Sequence, residues 1–202
     1  MRKFLNIVCS LAYNAMRHDI NFMLLNKEEI GYLLGFFVGD GNIFISKKLG
    51  VYRVRFFTFI KEKKIQSKLK KILDKILTNV RCYQEQDNTF VLEFHSKDFI
   101  NKILKIADKN GLKKKISKNS ERGFIEGLID SDGYVQRNYC EITTANPKLK
   151  NNLKKILKDF GVKCNIRDFP RNTGKAGFRI GFSLNGKNFY PVKWFVDVQT
   201  AE

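Results

Sequence analysis

Leu33-Leu34-Gly35-Phe36-Phe37-Val38-Gly39-Asp40-Gly41 recurs as Ile125-Glu126-Gly127-Leu128-Ile129-Asp130-Ser131-Asp132-Gly133, its last Asp displaced by 92 residues in a chain of 202. Both stretches are mostly apolar, carry small residues four apart (Gly35 and Gly39; Gly127 and Ser131), and close on Asp-Gly. Residues four apart share one face of a helix, and small ones there let two helices approach closely. Packed side by side, two such helices bring Asp40 and Asp132 together at their C-terminal ends, where the backbone dipole is already negative. A sequence arranged only for stability would place lysine there, and 38 Lys and Arg are available. Acids at that place in both copies point instead to a site that holds cations. Carboxylates and exposed carbonyls suit Mg²⁺, which prefers a few carboxylates completed by water and phosphate oxygens.

The surroundings repeat as well. Leu69-Lys70-Lys71-Ile72-Leu73 returns as Leu153-Lys154-Lys155-Ile156-Leu157 after 84 residues, Cys82 as Cys164 after 82, and Phe90, Leu92, Phe94 as Phe178, Ile180, Phe182 after 88. Order and spacing are both kept, so the chain is one plan written twice. Each copy reads as helix, hairpin, helix, hairpin, helix. In the first, Asn26 and Glu29 predict a capping box, and Gly41 a left-handed terminator. Strands follow at 42–47 and 51–60. Ile65, Leu69, Ile72 and Ile76 mark an amphipathic helix. Strands at 80–85 and 89–95 precede a helix with Phe99, Ile103, Leu104 and Ala107 on one side. The second copy places strands near 133–137, 139–145, 162–168 and 177–184, with Trp194 in a closing helix. The expected fold is α+β: two pseudo-symmetric αββαββα repeats whose eight strands make a joint antiparallel surface. The division predicted is an N-terminal extension 1–25, a first repeat 26–112, a basic linker 113–119 and a second repeat 120–202.

Composition bounds what such a fold does. A net charge of +18 calls for a polyanionic partner, and 43% hydrophobic residues supply a packed core. Ile30 to Gly39 is about half of the ~20 apolar residues a membrane span needs, so no membrane partner is expected. Cysteines 9, 82, 140 and 164 form no CxxC pair, and His18 and His95 are the only histidines, which excludes a zinc site and histidine-based hydrolysis. Cys82 and Cys164 alternate with apolar neighbours and read as buried free thiols of a reducing compartment. Asn6 interrupts the apolar start of the chain, so an intracellular protein is expected, in a prokaryotic (archaeal or bacterial) cytoplasm or an organelle matrix.

The two Asp-Gly phrases resemble the motif of the LAGLIDADG homing endonucleases, specifically the single-chain class with two motifs. The repeat order that carries the resemblance covers residues 26 to about 198, and the first phrase departs from the pattern at Val38, where the family usually has Asp. The resemblance implies a saddle of two αββαββα halves over duplex DNA. It implies cleavage of both strands with Mg²⁺, with Mn²⁺ or Ca²⁺ as substitutes, and short 3′ overhangs. The motif's last Asp binds metal in the family, which places metal at Asp40 and Asp132, and the carbonyls of Gly39 and Ser131 can join them. One acid per copy gives one cut per strand. The family also orders water with polar groups at the site edge, and Lys61, Lys115 and Asn146 are the looser matches for that role.

Strand alternation separates a core face from an open one. The open face is the candidate DNA surface: Asn42, Phe44 and Ser46; Arg53 and Arg55; Tyr134, Gln136 and Asn138; Lys163, Asn165 and Arg167; Arg179 and Ser183. Two-stranded ribbons enter a major groove, where Arg reads guanine and Asn or Gln reads adenine. The leading expectation is a monomeric, site-specific double-strand endonuclease of the intron- or intein-homing type with a long recognition site. An RNA maturase that binds its own intron, and a non-catalytic DNA-binding regulator on the same scaffold, are the alternatives.

Overall fold

The computed structural model describes residues 20–85, 87–170, 176–184 and 189–193. Trp194 and the helix expected around it lie outside the described residues, as do Cys9 and the apolar start of the chain. The first half runs α1 (Lys27–Asp40), β1 (Gly41–Ser46), β2 (Val51–Phe59), α2 (Lys63–Leu73), β3 (Arg81–Gln84), β4 (Thr89–His95) and α3 (Lys97–Ile106). A short hairpin, β5 (Ala107–Asp108) and β6 (Gly111–Leu112), follows it. The second half runs α4 (Lys118–Asp132), β7 (Gly133–Gln136), β8 (Tyr139–Thr144), α5 (Pro147–Asp159), β9 (Cys164–Pro170) and β10 (Ala176–Ser183).

Local chemistry accounts for the ends of the two motif helices. At the start of α1 the Asn26 side chain accepts from the Glu29 amide at 2.8 Å while Glu29 accepts from the Asn26 amide at 3.1 Å, the predicted capping box. Ser117 caps α4 by accepting from the Ser120 amide at 3.3 Å. Both helices stop at a glycine, but Gly41 (φ −86°) and Gly133 (φ −78°) are extended, not left-handed. Glycine is needed there for space: a Cβ on Gly41 would lie 2.5 Å from the Phe37 ring, and one on Gly133 would lie 2.6 Å from the Ile129 carbonyl.

α1 and α4 pack at backbone contact. A Cβ built on Gly31 or Gly35 would meet the carbonyl of Ser120 or Phe124 at 2.0 Å. One on Gly123 or Gly127 would meet that of Glu28 or Tyr32 at 2.0 or 2.1 Å. Gly31 and Gly123 thus extend the small-residue stripe one helical turn beyond the motif phrases. Val38, the departure from the motif, is buried without disturbing this contact.

The strands form two separate four-stranded antiparallel sheets, ordered β1-β2-β4-β3 and β7-β8-β10-β9, and not one joint ladder. Their matching orders are the repeat made visible. Register sends Val54, Phe56, Leu92 and Phe94 of the first sheet, and Cys140, Ile142, Ile180 and Phe182 of the second, to the buried side. There Phe56, Phe94 and Phe99 stack edge to face, with Phe94 and Phe99 centroids 4.9 Å apart. The end of the expected extension belongs to this core: Ile20 is buried, its amide donates to Asp98 at 3.2 Å, and Phe22 packs on Phe99.

Cys82, Cys140 and Cys164 are free thiols, and Cys140 is fully buried. Cys82 corrects the expectation of a buried thiol. It lies on the core side of β3, but β3 is an edge strand and leaves the residue exposed. No helix among the described residues is long and apolar enough to cross a membrane.

Candidate metal centre and nucleic-acid interface

The glycine contact between α1 and α4 carries through to their C-terminal ends. A Cβ on Gly39 would lie 2.0 Å from Ser131 Oγ and 3.2 Å from Asp132 Oδ2, so the two Asp-Gly ends meet. Among the described residues, no hydrogen bond or ion pair is made by either carboxylate, Asp40 or Asp132. Asp40 is pushed up to a pKa of about 6, by burial first and then by the charge of Asp132, against the pull of Lys193 and Lys109. Asp132 is raised as well, by its desolvating surroundings, with Lys109 and Lys193 opposing. Two carboxylates that repel each other at two negative helix ends form a place a divalent cation would stabilise. No group of three or more His, Cys, Asp or Glu surrounds it among the described residues. A divalent cation held by these two carboxylates could take water and phosphate oxygens as its further ligands.

Two lysines that the sequence did not single out reach the same place. Lys109, in the β5–β6 turn, donates to the carbonyls of Phe37 (3.0 Å), Val38 (3.1 Å) and Gly39 (2.5 Å). Lys193 donates to the carbonyls of Ser131 (2.7 Å) and Gly133 (3.1 Å), and its ammonium lies 3.6 Å from Glu62. Each motif helix therefore ends against an ammonium that supplies the positive charge its last turn lacks. The carbonyls of Gly39 and Ser131 are engaged by these lysines.

The arms are placed differently. Lys109 sits in the Asp108-Lys109-Asn110-Gly111 turn, closed by Asp108 accepting from the Asn110 amide at 2.7 Å and pinned to α5 where Asn152 accepts from the Leu112 amide at 2.9 Å. Lys193 is held by buried Asp130, which accepts from the amides of Val192 (3.0 Å) and Lys193 (2.9 Å) and from the Tyr32 hydroxyl (2.9 Å). Glu126 anchors the same segment by accepting from the Tyr190 amide at 2.8 Å. Asp130 therefore holds the second arm. Val38, its counterpart in the first motif, has no such duty because the first arm is a hairpin.

The three edge candidates fare unequally. Lys61 lies exposed in the turn after β2, beside Glu62, whose charge also raises Asp40. Lys115 is at the wrong end: it precedes the start of α4 and acts on Glu121 in the first turn, while Asp132 closes the helix 15 residues long. That separation is roughly 20 Å at 1.5 Å per residue, far beyond the reach of a lysine side chain. Asn146 caps α5, accepting from the Lys148 amide at 2.9 Å, and donates to Asn110 beside Lys109. Through these bonds Asn146 supports the Lys109 turn.

The open sheet faces carry most of the predicted set. Asn42 pairs with Arg55, Phe44 with Arg53, and Arg53 with His95 across the first sheet. In the second, Tyr134 pairs with Glu141, Gln136 with Tyr139, Arg179 with Thr143 and Arg167, Gly181 with Asn165, and Ser183 with Tyr139. Ser46 closes β1 opposite Val51. Asn138 lies in the exposed turn between β7 and β8, the gap left between the two expected strands. Lys163 is a correction, since it lies exposed one residue before β9 begins and not on the strand. The arginines differ in freedom. Arg53 lies 5.1 Å from the Phe44 ring centre, and its Nε has no hydrogen-bond partner among the described residues. Arg55 is tied to Glu93 at 2.6 Å and to Glu85 at 3.4 Å. Arg179 faces Glu141 at 3.8 Å and lies over Phe169. Glu93 and Glu141 share the open faces with these arginines, and the register sets Glu93 directly opposite Arg55.

Comparison with known proteins gives the class. Residues 119–188 match the family model of the LAGLIDADG-like domain. The homing endonuclease I-DmoI, solved in complex with DNA and Mn, superposes at a TM-score of 0.60 and 20% identity over 79% of this chain and 92% of that one. Residues 119–188 thus carry a LAGLIDADG-like domain, and over about four-fifths of the chain the fold is similar to that of I-DmoI. Among curated proteins it is similar to two from Methanocaldococcus jannaschii. An uncharacterized protein is 28% identical over 154 residues, covering 75% of this chain and 55% of that protein. The replication factor C small subunit is 24% identical over 178 residues, covering 80% of this chain and 9% of that protein. The chain therefore spans about half the length of the first and under a tenth of the second.

Proposed function

We propose that this protein is a site-specific double-strand DNA endonuclease of the homing type, acting as a monomer with Mg²⁺. The observation that carries the reading is the meeting of Asp40 and Asp132 at the ends of two helices packed on glycine, beside two open sheet faces that bear Arg53, Arg55, Arg167 and Arg179. Asp40 and Asp132 would hold the metal, which when bound supplies an acidified water and stabilises charge developing on phosphate. Each acid serves one strand, and both motifs in one chain make a second copy unnecessary. The sheet faces hold and read the duplex. Mn²⁺ replaces Mg²⁺, and cleavage leaves short 3′ overhangs. The two-repeat division, 26–112 and 120–202 about a basic linker 113–119, belongs to the same reading.

A second reading, a DNA-binding protein that does not cut, is favoured by one observation: ammonium groups occupy the Gly39 and Ser131 carbonyls. Incubation with a plasmid that carries the uninterrupted insertion sequence of the host gene separates the two. The endonuclease reading expects linearisation with Mg²⁺ or Mn²⁺, abolished by Asp40→Asn or Asp132→Asn while binding is kept. Binding without cleavage under both metals would overturn it and leave the second reading standing.

A further inference from the structure

Lys109 and Lys193 form a pseudo-symmetric pair with a shared position and separate supports. Lys109 makes three contacts of 3.1 Å or less with the last carbonyls of α1, and Lys193 two with those around the end of α4. Both act electrostatically on Asp40 and on Asp132. Each arm is braced by the opposite half of the chain. Asn110, next to Lys109, accepts from Asn146 at the cap of α5, while Lys193 faces Glu62 at the start of α2. Glu62 and Asn146 both stand immediately before the middle helix of their half. A chance salt-bridged surface lysine would not be matched in this way across the two halves, nor held by buried Asp130 on one side and a pinned hairpin on the other.

The acid pair therefore carries its own counter-ions. We propose that Lys109 and Lys193 are positioning residues that hold the Gly39 and Ser131 carbonyls in the metal-free protein, and that a divalent ion gains those carbonyls only by displacing the ammonium groups. The inference rests on the metal reading of Asp40 and Asp132 above. It predicts opposite effects on two measurable quantities. Neutralising a lysine removes a helix-end cap and a counter-ion, which lowers stability without metal. It also removes a competitor for the same oxygens and an opposing charge close to the bound cation, which tightens metal binding. A purely structural lysine would move the first quantity alone.

The experiment is Mn²⁺ titration of the full chain without DNA, by calorimetry and by the electron paramagnetic resonance of free Mn²⁺, together with thermal unfolding in chelator and in Mn²⁺. Lys109→Met and Lys193→Met are each expected to bind Mn²⁺ at least about threefold more tightly, given an adjacent charge screened by solvent. Each should melt lower in chelator and gain more from Mn²⁺ than the unmodified chain. Lys109→Arg and Lys193→Arg, which keep the charge, should stay within about twofold of the original affinity. Should a Met variant fail to fold, Lys→Gln at that position keeps a donor for the carbonyls without the charge and carries the same expectation. Unchanged or weaker Mn²⁺ affinity in the folded neutral variants overturns the inference while the metal reading stands. If the unmodified chain takes up no Mn²⁺, and Asp40→Asn changes nothing, the metal reading itself falls and this inference with it.

Discussion

Replacing Gly35 by Ala sets two physical effects against each other in one methyl group. Alanine in a helix interior is favoured over glycine by about 1 kcal/mol through backbone entropy, so propensity alone predicts a more stable protein. The new Cβ would lie 2.0 Å from the Phe124 carbonyl and 2.9 Å from the Leu128 amide nitrogen. Both obstacles are backbone, so no rotamer change relieves them. The helices must part by roughly 1 Å, against the contacts at Gly31, Gly123 and Gly127, and overpacking of this kind costs about 1–3 kcal/mol or more. With the upper end of that range set against the propensity gain, a net loss of about 2 kcal/mol is expected, or about 4–8 °C in melting temperature for a chain of this size. Thermal and urea unfolding would measure it, with Ser67→Ala on the exposed side of α2 as a control in which propensity acts without a clash. A Gly35→Ala protein that melts at or above the original would refute the close-contact account of the interface. The same displacement moves Asp40 against Asp132, and a shift of about 1 Å at reacting groups can cost on the order of a hundredfold in rate, so on the proposed endonuclease reading the surviving protein should cut DNA poorly.

Three further outcomes are expected. Asp40 has a folded-state pKa of about 6 against an ordinary 3.8, so between those values the folded protein binds the extra proton, and stability in chelator falls as pH rises through that window. Asp40→Asn should therefore melt higher than the original at pH 7.5, by an amount worth about 1 kcal/mol after discounting for partial solvent exposure, and the gain should vanish below pH ~4; a gain independent of pH would contradict the cause given. Asp130→Asn turns one acceptor of a buried three-donor site into a donor and should lose about 2–4 kcal/mol in urea unfolding, far more than Asp132→Asn, whose carboxylate accepts no hydrogen bond from the described residues. Arg55→Ala should weaken DNA binding more than Arg53→Ala in fluorescence anisotropy because it uncovers Glu93. Burial pushes that carboxyl up, but hydrogen bonds from Arg55 and Tyr83 hold it below its ordinary value. Adding Glu93→Gln should restore part of the loss, and no recovery would show that Arg55 acts on DNA alone.

How much of this was legible in the sequence divides along physical lines. Periodicity and small-residue spacing are local, and they placed both motif helices, all eight strands of the two large sheets and the meeting of Asp40 with Asp132. The terminating glycines were legible as glycines but not in their reason. The rule of thumb is left-handed geometry, whereas Gly41 and Gly133 are extended and answer to crowding by Phe37 and Ile129. Lys109 and Lys193 were illegible because they act through long-range hydrogen bonds, 70 and 62 residues away in sequence, and are two lysines among many. The Asp-Lys-Asn-Gly turn around Lys109 is a hairpin signal that went unread; nothing comparable marks Lys193. Lys115 was misplaced because proximity in sequence to a motif says nothing about which end of a helix a residue occupies.

The difference between Val38 and Asp130 makes the two halves of the chain non-interchangeable parts. Each has its own way of delivering a lysine, and each delivery relies on a brace that only the other half possesses: Asn152 and Asn146 for the Lys109 hairpin, Glu62 for Lys193. A tandem of two first halves would own two hairpins and no asparagine to pin them. A tandem of two second halves would own two Asp130-anchored tails and no Glu62 to meet them. The backbone of the two halves is pseudo-symmetric while the wiring between them is crossed, so each half serves the other only by being different from it.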